Sequence, residues 1–258
     1  MIFESWLIVV NVRLKFYEFA VFSGAALHRK GAAKTPCKCG SLAGFLNNSN
    51  TEQYWRKWLR EKPFTVLFID GNHENFDMLS AYPITEWNGG KVHKIADNII
   101  HLMRGQVFDI DGIRFFTMGG ASSHDIDAGV LEPSDPDFTI KRKKLDREMA
   151  LYRINRVSWW AEELPSEEEM AEGLANLERV GNKVDVILTH CMPSSVQDIY
   201  SRGQYKHDRL TDYLDIVKEK CEFKMWFFGH YHENRIIGQR FTMLYKEKIR
   251  LDDWLEQV

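Results

Sequence analysis

Three apolar runs in this chain each end in residues that can ligate a metal ion, and this repetition constrains the fold most. They are FTVLFIDGNHEN (64–75), VDVILTH (184–190) and FKMWFFGHYHEN (223–234). Short apolar runs bounded by turn residues are typical of buried β-strands. In α/β proteins the loops at the carboxyl ends of strands hold ligands, so we expect these three loops to converge on one metal site. The side chains that they would bring together are Asn72, His73, His190, His230 and His232.

The pattern between these runs predicts a layered α/β fold with mixed sheets, because helical and strand-like segments alternate and the end of the chain is strand-rich. Asp111-Gly112 predicts a two-residue hairpin turn within 107–118. Ser166 and Glu169 form a capping box that opens a helix over 167–179. The remaining predicted elements are helices over 51–62 (with Tyr54, Trp55 and Leu59 on one face), 136–156 and near 207–220, and strands at 98–103, 234–238 and 241–245.

Composition excludes several functional classes. The chain of 258 residues is 44% hydrophobic and 28% charged, as in soluble globular proteins, and its net charge of −3 favours neither nucleic acid nor membrane. Its longest early apolar stretch, 19–27, is too short to span a bilayer, and charged residues interrupt the N-terminus, so no membrane span or secretory signal is expected. Trp159-Trp160 lacks the basic groove that single-stranded nucleic acid requires, so packing or a lid over the substrate is the favoured interpretation.

The four cysteines match no common zinc pattern, and a chain of this length needs no disulfide framework. We therefore expect reduced thiols and a cytoplasmic location. The cysteines are Cys37, Cys39, Cys191 and Cys221.

Each motif has a plain alternative when it is taken alone. His230 and His232 lie two apart and can face one site, but they could equally be solvated histidines on a turn. Asn72 offers an amide oxygen and His73 a proton, yet 71–75 could be an ordinary polar loop that caps a helix. His190 ends a buried strand, where histidine is often a hydrogen-bonded core residue. The ordered conjunction of three such strand ends favours the functional interpretation.

That ordered set resembles the calcineurin-like metallophosphoesterase superfamily. GNHE (71–74), the strand-ending His190 and GHYH (229–232) are similar to three of its five signature blocks, and the resemblance covers about residues 44–250. GNHENFD, SWW (158–160) and WFFGHYHEN are similar to a subgroup of small bacterial and phage-type phosphatases. We therefore divide the chain into an atypical N-terminal segment, 1–43, and a metallophosphoesterase-like domain, 44–258.

The resemblance implies a four-layer αββα sandwich with two mixed β-sheets and two divalent metals at the strand ends. Asn72, His190 and His230 would ligate one metal, His232 would ligate the other, and His73 would stand beside the scissile phosphate. A metal-bound hydroxide would attack the phosphorus of a mono- or diester in line. Manganese is the first expectation, with iron, zinc or nickel as alternatives. The expected substrate is a small phosphorylated molecule or a phosphoprotein rather than a nucleic acid.

The N-terminal part departs from this pattern, because the family's Asp-x-His and Gly-Asp blocks are missing. No Asp precedes Asp70 although seventeen occur from there onward, and Ser41 in segment 39–50 stands where the bridging carboxylate would fall. A neutral hydroxyl cannot replace that charge, so the second metal would keep only His232 and the chain could hold one metal alone. Two explanations are open: the loss is real, or residues 1–43 are a mis-read part of the gene. The abrupt change in composition favours the mis-read gene.

These observations leave two functions open. The first is a metal-dependent phosphoesterase. The second is a catalytically impaired relic that binds a phosphorylated ligand or a protein partner without turnover, and the missing carboxylates support it.

Overall fold

Two large mixed β-sheets form the centre of the fold, with helices on their outer faces. The computed structural model describes residues 4–11, 16–23, 50–245 and 248–251. The first sheet consists of β1 (Glu4–Asn11), β2 (Phe16–Ser23), β3 (Thr65–Ile69), β4 (Ile84–Trp87), β5 (Gly90–Ala96), β6 (Ile99–Leu102) and β15 (Lys248–Arg250). Its order is β15-β2-β1-β3-β6-β5-β4, in which β3 and β6 are parallel and the other neighbours antiparallel.

The second sheet has the order β13-β14-β12-β11-β8-β7, and four of its neighbouring strands (β8, β11, β12 and β14) run parallel. Its members are β7 (Gln106–Ile110), β8 (Ile113–Met118), β11 (Val186–Thr189), β12 (Met225–Phe228), β13 (Arg235–Ile237) and β14 (Phe241–Met243). A separate parallel pair joins β9 (Val130–Leu131) to β10 (Arg153–Ile154). The helices are α1 (Asn50–Arg60), α2 (Phe76–Ser80), α3 (Phe138–Glu148), α4 (Glu167–Arg179), α5 (Ser194–Ser201) and α6 (Arg209–Lys220), and a single 3-10 turn spans Ala161–Glu163.

Side chains that alternate along β3 supply two apolar layers, as the period of a strand requires. Leu67 and Ile69 belong to the main core, which also contains Phe116 and Trp226 from the second sheet. Val66 and Phe68 point the other way and pack with Leu59 of α1 and Leu79 of α2. Helices α4 and α6 contribute Leu177 and Leu214 to the main core. The predicted four-layer αββα sandwich with two mixed sheets is confirmed.

Local sequence signals explain several boundaries. Asp111 and Gly112 both have positive φ (52° and 83°), as a two-residue hairpin turn requires. Ser166 accepts from the backbone N–H of Glu169, whose side chain accepts from the backbone of Ser166, so α4 begins where the capping box predicts.

Two local predictions were wrong. The helix expected over 136–156 ends at Glu148, because Met149 adopts a left-handed φ of 50° and β10 follows. Tyr54 was expected on the packed face of α1, but 60% of it is exposed. The prediction of packing holds for Trp160, which is buried and donates from Nε1 to Asp77.

Most of the atypical segment 1–43 lies outside the described residues. Its two described pieces, β1 and β2, pair antiparallel with each other, and β1 also pairs antiparallel with β3. The domain division at residue 43 therefore stays a prediction. Among the described helices, none combines the length and apolar character that crossing a bilayer demands.

Candidate active site

The three ligand-bearing loops meet at the carboxyl ends of β3, β11 and β12. The parallel strands β8, β11 and β12 end at the same edge of the second sheet, and β3 of the first sheet ends beside them. The backbone ties neighbouring ends together, since His190 N–H donates to the carbonyl of Met118 at 3.3 Å and Gly229 N–H donates to the carbonyl of His190 at 3.0 Å. The expected convergence follows from this topology.

Asn72 and His190 form the innermost contact of the site. Asn72 is 3% exposed and His190 1% exposed, and Asn72 Oδ1 lies 3.2 Å from His190 Nε2. Because an amide oxygen can only accept, Nε2 carries the ring proton of His190 in this contact. The buried Nδ1 is then unprotonated, and within the part of the chain that the structure describes it has no hydrogen-bond partner. Leaving a buried acceptor unsatisfied costs roughly 1–3 kcal/mol, so this atom points to a ligand that binds there.

His230 joins them on the loop after β12. Its ring lies edge-on to that of His190, with centroids 5.2 Å apart, and it also meets His124 at 5.3 Å. His230 and His232 have φ values of 67° and 57°, a left-handed conformation that is uncommon outside glycine and concentrates at functional sites. His232 is exposed and stacks flat on Tyr245 at 5.3 Å. The structure therefore brings Asn72, His190 and His230 together and holds His232 at the rim.

His73 lies between the candidate ligands and an ion pair. Its Nε2 is 3.4 Å from Asn72 Nδ2, and its Nδ1 is 3.4 Å from Nη2 of Arg153 on β10. Arg153 also pairs through two hydrogen bonds with Asp125. A guanidinium and an amide NH₂ can both only donate, and a neutral imidazole has one acceptor nitrogen, so His73 accepts from either Arg153 or Asn72 but not from both at once.

The imidazoles of His73, His190 and His230 are neutral near pH 7. Burial, followed by the charge of Arg153, lowers the pKa of His73 to about 4. Burial lowers the pKa of His190 to about 3 and holds that of His230 well below its ordinary value. A neutral imidazole keeps the nitrogen lone pair that a metal ligand needs.

A buried charged network holds loop 71–75 at the end of β3. Asp70, at the end of β3, accepts from Arg104 at 2.6 and 2.8 Å and pairs with His101 Nε2 at 3.1 Å. Burial alone would raise the pKa of Asp70, but Arg104 and His101 outweigh it and hold the pKa well below its usual range. The Asp70 carbonyl accepts from Gly120 N–H at 3.0 Å, which fixes loop 71–75 against loop 119–125.

The donor set fits one cation better than two. Its three convergent members are an amide and two imidazoles, which suit a borderline divalent ion, and Nδ1 of His190 awaits a partner. Within the described residues, no group of three or more His, Cys, Asp or Glu side chains is arranged to hold a metal ion. Ser41 lies outside the described residues.

Comparison with known proteins decides the family. A family model for calcineurin-like phosphoesterases matches residues 41–234, which include all five candidate site residues. The chain belongs to the calcineurin-like phosphoesterase family. Among curated relatives, lariat debranching enzyme of Caenorhabditis briggsae is 26% identical over 141 residues, 54% of this chain and 23% of that protein. Lariat debranching enzyme of Drosophila melanogaster is 24% identical over 144 residues, 55% of this chain and 21% of that protein.

Membership in this family makes the chain a phosphoesterase at the family level. The chain spans less than a quarter of the length of either relative. The catalytic and metal-binding roles of the five candidate residues stay predictions. These residues are Asn72, His73, His190, His230 and His232.

Sequence reasoning missed three polar residues that shape the site. Ser123 contacts Asn72, Glu163 contacts Ser123, and Arg153 contacts His73. The sequence pattern assigned no role to Ser123. Glu163 and Arg153 lie forty and eighty positions from their partners, and no spacing rule connects them.

Proposed function

We propose that this chain hydrolyses a phosphate mono- or diester with the help of a divalent cation held by Asn72, His190 and His230. The observation that carries the proposal is the convergence of the Asn72 amide oxygen on the buried His190 ring, 3.2 Å from Nε2, with the His230 ring 5.2 Å from that of His190. A bound cation would neutralise phosphate charge and lower the pKa of a water molecule toward neutrality. We name manganese as the first ion to test.

His73 supplies the proton in this proposal. In the tautomer whose Nδ1 accepts from Arg153, Nε2 carries the proton and can donate a hydrogen bond to the leaving oxygen while the ring is neutral. The nearby Arg153 guanidinium adds positive charge that attracts an anionic phosphate. A phosphate beside the ring would in turn raise the pKa of His73 from about 4, because a nearby negative charge favours imidazolium.

The proposed substrate is a small phosphorylated molecule or a phosphoprotein. The net charge of −3 supplies no long-range attraction for a polyanion. Because the chain spans so little of either relative, lariat debranching is not proposed for it.

Binding without turnover is the second candidate function. The converging ligands Asn72, His190 and His230 include no carboxylate, so they neutralise less of a dication's charge than a carboxylate-bearing set would. A phosphorylated ligand could then occupy the cleft and remain intact.

Hydrolysis of p-nitrophenyl phosphate and bis-p-nitrophenyl phosphate after loading with Mn²⁺ separates the two functions. We expect turnover in the wild-type chain and in His207→Ala, whose histidine is exposed and pairs with Asp198. We expect loss of turnover in His190→Ala with the fold retained, as its far-UV circular dichroism spectrum should show. Equal rates in His190→Ala and wild type would refute the assignment, and phosphate binding without turnover in the wild type would favour the second function.

A further inference from the structure

A chain of buried hydrogen bonds extends from Asn72 away from the cation site. Asn72 Nδ2 donates to Ser123 Oγ at 3.1 Å, and Ser123 Oγ donates to Glu163 Oε2 at 2.6 Å. Ser123 and Glu163 are 7% and 4% exposed, so water does not compete strongly for these groups. The Asn72 amide thus lies between Ser123 on its nitrogen side and His190 on its oxygen side.

Glu163 is itself fixed by the loop that it orients. Its Oε1 accepts from the backbone N–H of Ser123 at 3.0 Å, and its backbone carbonyl accepts from Ala121 N–H at 3.1 Å. Gly120 is required at the turn, because a Cβ there would overlap the Glu163 carbonyl and its φ is +87°. The 3-10 turn Ala161–Glu163 therefore holds residues 120–123 in one position.

The direction of each hydrogen bond follows from the chemistry of Glu163. An ionised carboxylate can only accept, so the single hydroxyl proton of Ser123 must point to it. The Ser123 oxygen then accepts a hydrogen bond from Asn72, so the NH₂ group of the Asn72 amide must face Ser123. Burial raises the pKa of Glu163, and the two hydrogen bonds from Ser123 oppose that rise by stabilising the carboxylate.

We propose that Ser123 and Glu163 are positioning residues that hold the Asn72 amide with its oxygen toward the cation site. The proposal rests on the cation-assisted function given above. An amide has two ends of nearly equal shape, and only the oxygen can ligate a metal. Without an enforced direction, the rotated amide would present two N–H groups to the cation. Groups that orient metal ligands in this way typically change metal affinity about 10-fold to 100-fold when they are removed.

Glu163→Gln is the sharpest test because it keeps the shape of the side chain and reverses one hydrogen bond. The Gln oxygen can still accept from Ser123 N–H, but its NH₂ then donates to Ser123 Oγ. The Ser123 hydroxyl then loses its acceptor on residue 163 and can donate to Asn72, which favours rotation of the Asn72 amide so that its oxygen accepts. We expect Mn²⁺ affinity, measured by equilibrium dialysis at pH 8, to fall about 10-fold to 100-fold with little change in melting temperature.

Three further variants separate positioning from general stability. Ser123→Ala should weaken Mn²⁺ binding, whereas Ser123→Thr keeps the hydroxyl and should restore it. Ser194→Ala is the matched control, because Ser194 is 4% exposed and its hydroxyl bonds to Thr211 and Asp212, outside the chain that reaches Asn72. Affinity in Glu163→Gln and Ser123→Ala that equals that of Ser194→Ala would overturn the proposal.

A measurement without metal keeps the proposal distinct from the proposed function. The side-chain amide resonances of Asn72, assigned by their loss in Asn72→Asp, report which end of the amide faces Ser123. We expect Glu163→Gln to shift them and to remove their protection from exchange, and we expect Ser194→Ala to leave them in place. If the wild type binds no Mn²⁺, the cation-assisted function fails and these resonances alone decide the inference. Unchanged resonances in Glu163→Gln would overturn it.

Discussion

Replacement of Arg104 by Met should be among the most damaging single changes in this fold. Arg104 and Asp70 are 7% and 1% exposed, and two hydrogen bonds of 2.6 and 2.8 Å join them. Methionine keeps much of the side-chain volume but leaves the Asp70 carboxylate buried, with His101 as its hydrogen-bond partner among the described side chains. Removal of one member of a buried pair typically costs about 3–5 kcal/mol, because a charge is left without compensation.

The melting temperature gives the assay. A protein of this size loses about 2–4 °C for each kcal/mol, so Arg104→Met should melt about 6–20 °C below the wild type. Arg156→Met is the matched control, since Arg156 makes comparably short ion pairs with Asp77 and Glu162 at the exposed surface. The control should melt close to the wild type, because solvent screens exposed pairs.

A second variant identifies the cause of the loss. Asp70→Asn combined with Arg104→Met removes the uncompensated charge, so the double variant should recover part of the lost stability. The reasoning would be refuted if Arg104→Met melted no lower than Arg156→Met, or if the double variant lost the sum of both single effects.

For three other substitutions the structure predicts the direction of the change in stability. Burial and then the charge of His101 lower the pKa of His93 from 6.5 to about 4. As the pH drops, the unfolded chain therefore takes up this proton before the folded chain does, and the free energy of unfolding should fall between pH 6.5 and 4 by at most about 1.4 kcal/mol per pH unit. Urea titrations at several pH values should show a weaker pH dependence of the free energy of unfolding in His93→Gln. Gly119→Ala places a methyl group on the Asp70 carboxylate and should lower the melting temperature, and an unchanged value would contradict this packing. Leu214→Ala in the core should cost about 2–5 kcal/mol by urea denaturation, whereas Ile216→Ala, on the exposed side of the same helix, should cost much less.

Local signals made part of the fold predictable. The capping box at Ser166 and the turn at Asp111-Gly112 depend on residues three or fewer positions apart, and both features were located correctly. The β4–β5 hairpin was missed although Asn88-Gly89 carries the same kind of turn signal, with φ values of 46° and 91°. Its strands alternate polar and apolar residues too weakly to stand out.

In the candidate site, too, residues that follow a periodic strand pattern could be predicted and residues in loops could not. Asn72, His190 and His230 could be nominated because each follows an apolar run that became a strand, and parallel strands carry their ends to one edge. Ser123 and Glu163 could not be nominated from the sequence, because their contact depends on how a loop and a 3-10 turn pack. Polar residues in loops have no periodic signature. His124 approaches His230 for the same reason.

The stoichiometry of Mn²⁺ on the purified 258-residue chain after gel filtration tests the central claim most directly. We expect one ion per chain in the wild type and in the surface control His207→Ala, and none in His190→Ala. An ion retained by His190→Ala, or none in the wild type at millimolar Mn²⁺, would contradict the claim that Asn72, His190 and His230 form a cation site.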